Sequence, residues 1–144
     1  MVGDGSYLML HTELVTAVAE KLKFITVLIQ NHGYASIGHL SETVGSQRFG
    51  TKYRYAKAAA NDHETGEALP IDLAMNAESY GVKVIRVEPG PNSISDLTAA
   101  MQAAKAHEGG PVLIHINSDP LIYAPGGEGW WDVPIAEVST LDST

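Results

Sequence analysis

Two short polar clusters near the start of the chain contain residue types that could bind a metal ion. The first is Gly3-Asp4-Gly5-Ser6, and the second is the segment 30–33, which contains Asn31. An Asp carboxylate, an Asn amide oxygen and a backbone carbonyl exposed by a glycine turn are the hard oxygen ligands that Mg²⁺ prefers, with water and ligand phosphates completing an octahedron. The two clusters together therefore predict a site for Mg²⁺ and a diphosphate.

The secondary structure of the chain around the two clusters determines whether the clusters can lie close together in the fold. Val2 ends a predicted strand, residues 8–22 have the pattern of a helix, and residues 24–29 form a mainly apolar run typical of a buried strand. Parallel strands joined by a helix end at the same edge of a sheet, so we expect Asp4 and Asn31 to lie at one edge. A lone Gly-Asp-Gly is common in tight turns. The order strand, loop, helix, strand and polar turn is what makes this occurrence informative.

The chain past residue 70 alternates helix and strand, which predicts an α/β fold with a parallel sheet. Pro70 suits the first turn of a helix at 71–80, which Gly81 would end. Ser95 and Asp96 form the predicted cap region of a second helix, which runs to about His107. The predicted strands are 82–87 and 111–117.

Length, composition and charge limit the class of protein. The 144 residues, 44% of them hydrophobic, are enough for one domain with a real core. A formal charge of −8 argues against a nucleic-acid partner or an anionic membrane surface. Cysteine is absent, which excludes thiolate chemistry. The sequence shows neither a signal-peptide pattern nor an apolar run of membrane-spanning length, so we expect a cytoplasmic location.

The segment 32–69 breaks this alternation. It is far longer than the usual connection of about 2 to 6 residues in α/β proteins. It also starts directly at the predicted metal ligands. We interpret it as a long active-site loop that closes over cofactor and substrate, because Phe49, Tyr53 and Tyr55 make it too aromatic for a purely solvated segment. The alternative is a solvated insert with scattered charge.

The pairing of Gly-Asp-Gly-Ser with an Asn-containing turn resembles the thiamin-diphosphate enzyme superfamily, in its C-terminal, diphosphate-binding domain. In that family the second cluster usually reads Asn-Asn. Here Gln30 stands first, and the family's metal ligand, the second of the pair, corresponds to Asn31. One branch, the trihydroxycyclohexane-1,2-dione hydrolases of inositol catabolism, is similar in the segments 31–37, 45–54, 76–83, 130–133 and 135–138.

The resemblance implies cofactors, site residues and partners. Thiamin diphosphate would be held through Mg²⁺ ligated by Asp4, Asn31 and the carbonyl of Gly33. The resemblance also implies cofactor contacts from the neighbouring residues of the two clusters, which are Gly3, Gly5, Ser6 and Tyr34. The substrate would be a small polyol dione, opened at a C–C bond to 5-deoxyglucuronate. The family's activating Glu belongs to another domain, so no catalytic residue is assignable here.

The resemblance also implies that this chain is a fragment, which contains only the later strands of a three-layer, doubly wound domain. We therefore expect the missing domains of the same enzyme as partners and a homo-oligomer as the assembly. Residues 118–144 would form a C-terminal tail. The fragment alone would be inactive. The alternatives are another thiamin-diphosphate enzyme of the acetolactate synthase type, or a non-catalytic α/β binding or interaction module.

Several other residue types permit both a functional and a purely structural interpretation. His32 abuts the metal turn and is a weak candidate acid or base, while His115 on a strand fits a buried structural histidine. The remaining histidines show no zinc-ligand spacing; they are His11, His39, His63 and His107. Trp130 and Trp131 are more typical of a packed tail than of a substrate pocket. Arg48 and Arg54 could grip a phosphate, although a solvated loop position is expected for at least one.

Overall fold

The computed structural model describes residues 1–43, 45, 48–56 and 66–122. The chain divides into two compact units. The first consists of Met1–Asn31 and Ile71–Ser118, and the second of His32–Pro70 and Asp119–Thr144. The predicted metal ligands Asp4 and Asn31 belong to the first unit, and Gly33 belongs to the second.

The first unit is a parallel sheet with helices on both faces. Its strands are β1 (Val2–Gly3), β2 (Ile25–Gln30), β3 (Lys83–Val87) and β4 (Val112–Asn117), in the spatial order β1-β2-β4-β3. Its helices are α1 (Asp4–Leu10), α2 (Glu13–Ala19), α4 (Leu73–Ser79) and α5 (Ser93–Ala106), and α3 (Ala35–Thr43) lies in the second unit. All three strand pairs are parallel, which confirms the predicted α/β fold.

Two apolar clusters, one on each face of the sheet, form the core. On one face α1, α2 and α4 pack against β2 and β4; the buried residues there are Tyr7, Leu14, Leu28, Leu73, Ala77, Val82 and Leu113. On the other face α5 packs through Ala100 and Ala104 against Val87, Val112 and Ile114. Because successive side chains of a strand point to opposite faces, β4 contributes alternately to both clusters. The first unit therefore has three layers.

The single helix predicted at 8–22 is two helices. α1 begins at Asp4, and α2 follows after a join at His11 and Thr12. At this join Leu14 N–H donates to the His11 carbonyl at 3.1 Å, and Val15 N–H to that of Thr12 at 3.0 Å. These bonds close over three residues rather than four, which tightens the turn. The early start was missed because glycine lowers helix propensity.

The predicted ends of the later helices also differ from the structure. α4 is capped by Asp72, whose side chain accepts from Met75 N–H at 2.7 Å, so Pro70 lies before the helix rather than in its first turn. α5 begins at Ser93 after Asn92, earlier than the predicted cap region. Gly81 does follow the end of α4, and its φ of 88° suits glycine.

The second unit contains regular structure where a long loop was predicted. α3 occupies nine of its residues. Pairing of 32–34 with 51–53 is antiparallel: Tyr34 N–H donates to the Thr51 carbonyl at 2.7 Å, and Tyr53 N–H to the His32 carbonyl at 3.0 Å. The segment therefore contains a helix and an antiparallel pairing that were not predicted, and its role as an active-site loop stays a prediction. α3 escaped detection because Gly38, Ser and Thr weaken both helix propensity and the apolar period.

Candidate diphosphate and metal site

Asp4 is the centre of the candidate site in the first unit. It directly follows β1, it is the first residue of α1, and only 1% of its surface is exposed. Its Oδ2 accepts the backbone N–H of Asn31 at 3.1 Å, and its Oδ1 accepts the N–H of Gly5, also at 3.1 Å. The two polar clusters recognised in the sequence therefore meet.

Strand register explains this meeting. β1 pairs with β2 so that Val2 lies beside Leu28 and Gly3 beside Ile29. Both strands run in the same direction, so the residues that follow them leave the sheet at the same edge. Asp4 leaves β1 there and Asn31 leaves β2 there, and the edge is the carboxyl end of the strands, where open α/β sheets bind ligands.

The oxygen chemistry of this pair fits the group that the sequence predicts. An ionised carboxylate has about four acceptor positions, so accepting two N–H groups is compatible with ligating a cation. Among the described residues, no group of three or more His, Cys, Asp or Glu side chains could hold a metal ion. A site built from one carboxylate, one amide and backbone oxygens suits Mg²⁺ bound together with phosphates rather than a metal held by protein side chains alone.

The remaining residues of the first cluster have distinct environments. Gly3 ends β1, and a Cβ there would meet no atom within 4 Å. The N–H of Gly5 is engaged by the Asp4 carboxylate. Ser6 is exposed on α1. The cofactor contacts predicted for these three residues remain predictions.

The residues 32–34 lie in the second unit and are shaped by their pairing with 51–53. A Cβ on Gly33 would lie 2.1 Å from the carbonyl oxygen of Thr51, so only glycine fits there. His32 is exposed and has a φ of 59°, an uncommon value for a non-glycine residue. Tyr34 packs edge-on against Tyr53 with ring centroids 5.6 Å apart. Ligand roles for Gly33 and Tyr34, and the weak acid-base role of His32, stay predictions.

Arg48 and Arg54 differ in their surroundings. Arg48 is 6% exposed and forms an ion pair with Glu42 of α3. Its guanidinium holds the pKa of the Glu42 carboxyl below its usual value, chiefly through their hydrogen bond. Arg54 is exposed and donates to the Gly66 carbonyl at 2.7 Å. Arg54 therefore has the solvent-exposed position expected for at least one of the two, and Arg48 is buried.

A buried polar pair next to Asn31 was not predicted as a pair. Gln30, the last residue of β2, is 2% exposed, and His115 of β4 is 6% exposed. His115 Nε2 and Gln30 Oε1 lie 2.8 Å apart. This contact agrees with the structural role expected for His115. The sequence drew attention to Gln30 only because it stands where the family pattern usually has the first Asn.

An aromatic cluster on the helix-covered face also escaped detection in the sequence. Tyr7 O–H donates to Asn76 Oδ1 at 2.8 Å, and His11 stacks between Tyr7 and Tyr80, with ring centroids 5.3 and 5.9 Å away. Burial raises the pKa of Tyr7 to about 12, with a smaller contribution from Tyr80. Tyr7 and His11 also line an open, mainly apolar groove of about 510 Å³ between α1, α2 and the start of β2.

The other histidines are spread over the described residues without forming a metal cluster. His39 lies on α3, and His107 follows α5. His63, Trp130 and Trp131 lie outside the described residues, as does most of the predicted tail 118–144. Within the described ranges, the structure contains no helix long and apolar enough to cross a membrane.

The chain is similar to known proteins over most of its length. The family described as thiamine pyrophosphate enzyme, C-terminal TPP binding domain, matches residues 1–116. A 3D-(3,5/4)-trihydroxycyclohexane-1,2-dione hydrolase 2 of Bacillus cereus is 40% identical over 143 residues. The corresponding hydrolase of Clostridium botulinum is 36% identical over the same length. Each alignment covers 99% of this chain and 21% of the relative, so the chain spans about a fifth of their length.

A solved structure shows the same fold. Benzoylformate decarboxylase from Polynucleobacter necessarius superposes with a TM-score of 0.61 at 21% sequence identity, covering 85% of this chain and 19% of the decarboxylase chain. Taken with the match over residues 1–116, this means that the chain belongs to the thiamine pyrophosphate enzyme family, in the part that forms its C-terminal TPP binding domain.

Proposed function

We propose that this chain is the Mg²⁺- and diphosphate-binding part of a longer, cytoplasmic thiamin-diphosphate enzyme that opens trihydroxycyclohexane-1,2-dione to 5-deoxyglucuronate in inositol catabolism. The observation that carries the cofactor role is the contact between Asp4 and the backbone of Asn31 at the carboxyl edge of the sheet. The substrate assignment is supported by the names of relatives that are 36% and 40% identical over 99% of the chain.

The chain's own residues would anchor the cofactor. Asp4, which is buried, would supply a carboxylate to Mg²⁺. Asn31, whose backbone N–H donates to that carboxylate, would supply the neutral oxygen of its side-chain amide. The proposed third ligand is the carbonyl of Gly33. Thiamin diphosphate would supply carbanion chemistry at this site, and the task of the chain's own residues would be to hold and orient it. Proton transfer to the cofactor ring would come from a Glu outside this chain.

A titration of thiamin diphosphate with Mg²⁺ tests the site. The titration is followed by calorimetry on the longest polypeptide that contains this sequence. The parent is compared with the Asp4→Ala and Asn31→Ala variants. We expect Asp4→Ala to weaken binding more than Asn31→Ala, by about tenfold or more, because a hard divalent ion draws more stabilisation from a carboxylate than from an amide. His32→Ala is the control and should leave cofactor affinity near that of the parent.

Two outcomes would contradict the proposal separately. If Asp4→Ala bound the cofactor as tightly as the parent, the Gly-Asp-Gly-Ser cluster would not be a metal site. If the cofactor bound normally but the loaded enzyme left the cyclic dione intact while it cleaved or condensed 2-oxo acids, the substrate assignment would fail. That second result would favour an enzyme of the acetolactate synthase type.

A further inference from the structure

We propose that Gln30 is a positioning residue that holds Asn31 against Asp4, and that His115 and the carbonyl of Ile71 fix the side chain of Gln30 for this purpose. The proposal concerns the backbone next to the candidate metal site. It rests on the proposed function only for its consequence, since Asn31 matters to catalysis if it ligates Mg²⁺.

The side chain of Gln30 is buried and bonded at both ends. It is 2% exposed, its Nε2 donates to the Ile71 carbonyl at 3.1 Å, and its Oε1 contacts His115 Nε2 at 2.8 Å. A buried amide that lost these partners would be left with unsatisfied polar groups, which are costly in a protein interior. The Gln30 side chain is therefore held in one orientation.

This arrangement also defines the protonation of His115. A backbone carbonyl can only accept, so the Gln30 NH₂ group must face Ile71 and its oxygen must face His115. His115 Nε2 consequently carries a proton and donates it. The chain of bonds runs in one direction, from His115 on β4 through Gln30 on β2 to the segment that enters α4.

The backbone of Gln30 is fixed as well. Its carbonyl accepts the N–H of Ser118 at 2.9 Å, just past the end of β4. The next residue, Asn31, donates its N–H to Asp4 Oδ2 at 3.1 Å. The side chain and the backbone of Gln30 therefore tie the end of β2 to β4 and to the approach to α4, and Asn31 starts from this fixed point.

An apolar residue would meet the packing needs of position 30. Leu28 lies two residues earlier on the same face of β2 and is fully buried in the apolar cluster there. A leucine at position 30 could extend that cluster, but it would remove the bonds that Gln30 makes to His115 and to the Ile71 carbonyl. Gln30 makes directional hydrogen bonds that a leucine cannot make. Buried hydrogen-bond networks of this kind specify one geometry more than they raise the free energy of unfolding.

Amide hydrogen exchange measured by NMR on the purified full chain tests this inference without cofactor. The probe is the Asn31 amide, and the reference is the amide of Ile114, in the central strand β4. We expect Gln30→Leu to lower protection at Asn31 about tenfold relative to Ile114, because local opening at the strand end becomes easier. Gln102→Leu, the same change at an exposed position of α5, should leave this ratio unaltered.

Variants of His115 provide a second test and a rescue. His115→Leu removes the donor to Gln30. It should shift the ratio of Asn31 to Ile114 protection in the same direction as Gln30→Leu. If Gln30→Leu does not fold, His115→Leu still tests the proposal. His115→Gln can place an amide N–H where Nε2 lies, so it should restore the parent ratio. A ratio that stays at the parent value in both Gln30→Leu and His115→Leu would overturn the proposal, since a purely structural pair would loosen Asn31 and Ile114 equally.

A cofactor measurement separates the positioning role from the proposed function. In the longest polypeptide that carries the chain, Gln30→Leu should weaken binding of Mg²⁺ with thiamin diphosphate about tenfold, and Gln102→Leu should not. If the parent itself bound no cofactor, the proposed function would fail while the exchange ratio still decided the positioning role. If Asn31 loosened but cofactor affinity stayed unchanged, the positioning role would be supported, and its proposed consequence for cofactor binding would be overturned.

Discussion

At the scale of single residues, Gly33 shows most directly how the absence of a side chain shapes the second unit. A Cβ at this position would overlap the Thr51 carbonyl at 2.1 Å, and that carbonyl accepts the N–H of Tyr34 at 2.7 Å. We therefore expect Gly33→Ala to break the pairing between 32–34 and 51–53 and to cost about 2 kcal/mol or more, in the range of backbone and packing lesions.

Urea unfolding of the parent and of Gly33→Ala would measure this cost. Gly90→Ala is the matched control, because a Cβ there meets no atom within 4 Å. The close approach would be contradicted if both alanine variants had the free energy of unfolding of the parent. A loss confined to Gly33→Ala would support it.

At the scale of elements, the ion pair between Glu42 and Arg48 predicts a pH dependence for the packing of α3. The hydrogen bond from Arg48 lowers the pKa of Glu42 below its usual value of 4.5. A lowered pKa in the folded state stabilises the protein above about pH 4.5, and this contribution is lost as the pH falls through the lowered value. Because Glu42 is about half exposed, solvent limits the effect to about 1 kcal/mol or less.

The Glu42→Gln variant isolates this contribution. We expect it to be less stable than the parent at pH 7 and to approach the parent in stability as the pH is lowered below that of the usual Glu titration. Urea unfolding at pH 7 and at a pH below the usual Glu titration would show whether the free energies of unfolding of Glu42→Gln and the parent converge. Glu108→Gln, at an exposed glutamate before β4, is the matched control for the loss of a carboxylate. A constant difference in stability between Glu42→Gln and the parent at both pH values would argue against the ion pair.

At the scale of the whole molecule, the first unit exposes an apolar surface around the short edge strand β1. Leu10, Leu22 and Phe24 line the groove there and are 67%, 52% and 40% exposed. Unpaired strand edges and exposed apolar patches pair readily with other chains. We therefore expect the purified chain to self-associate, and Leu10→Glu to reduce the association.

Sedimentation velocity over a range of concentrations measures this property. Ile94→Glu, at an exposed position of α5, is the matched control for Leu10→Glu. A clean monomer of the parent at high concentration would contradict the expectation. Equal behaviour of the two glutamate variants would show that the groove is not the contact surface.

A second molecule-scale prediction concerns activity. The chain spans about a fifth of the length of its hydrolase relatives. The proposed function assigns the activating Glu to another part of the enzyme. We expect the purified chain, supplied with Mg²⁺ and thiamin diphosphate, to open no cyclic dione above the buffer rate. Cofactor-dependent turnover by this chain alone would show that the site needs no further domain.

Local patterns in the sequence predicted the sheet more accurately than the surrounding helices. The strands predicted at 24–29, 82–87 and 111–117 differ from β2, β3 and β4 by no more than one residue at either end. For β2 and β4 the reason is that buried parallel strands read as mainly apolar segments. α1 and α3 were missed or misplaced, since glycine, serine and threonine at their positions weaken the helical signal. Position 38 favours glycine in spite of its low helix propensity, because the Thr51 and Arg48 side chains occupy the space where a Cβ would lie.

The sequence by itself determined the α/β class, the family and the residue types at the candidate site, because the order of strand, Gly-Asp-Gly-Ser, helix, strand and Asn turn is local along the chain. Only the tertiary structure decided that the Asp4 carboxylate receives the Asn31 N–H, and that Gln30 and His115 form a buried pair behind it. These contacts join residues far apart in sequence. Periodicity reports which face of an element is buried, but strand register and packing determine which polar groups meet.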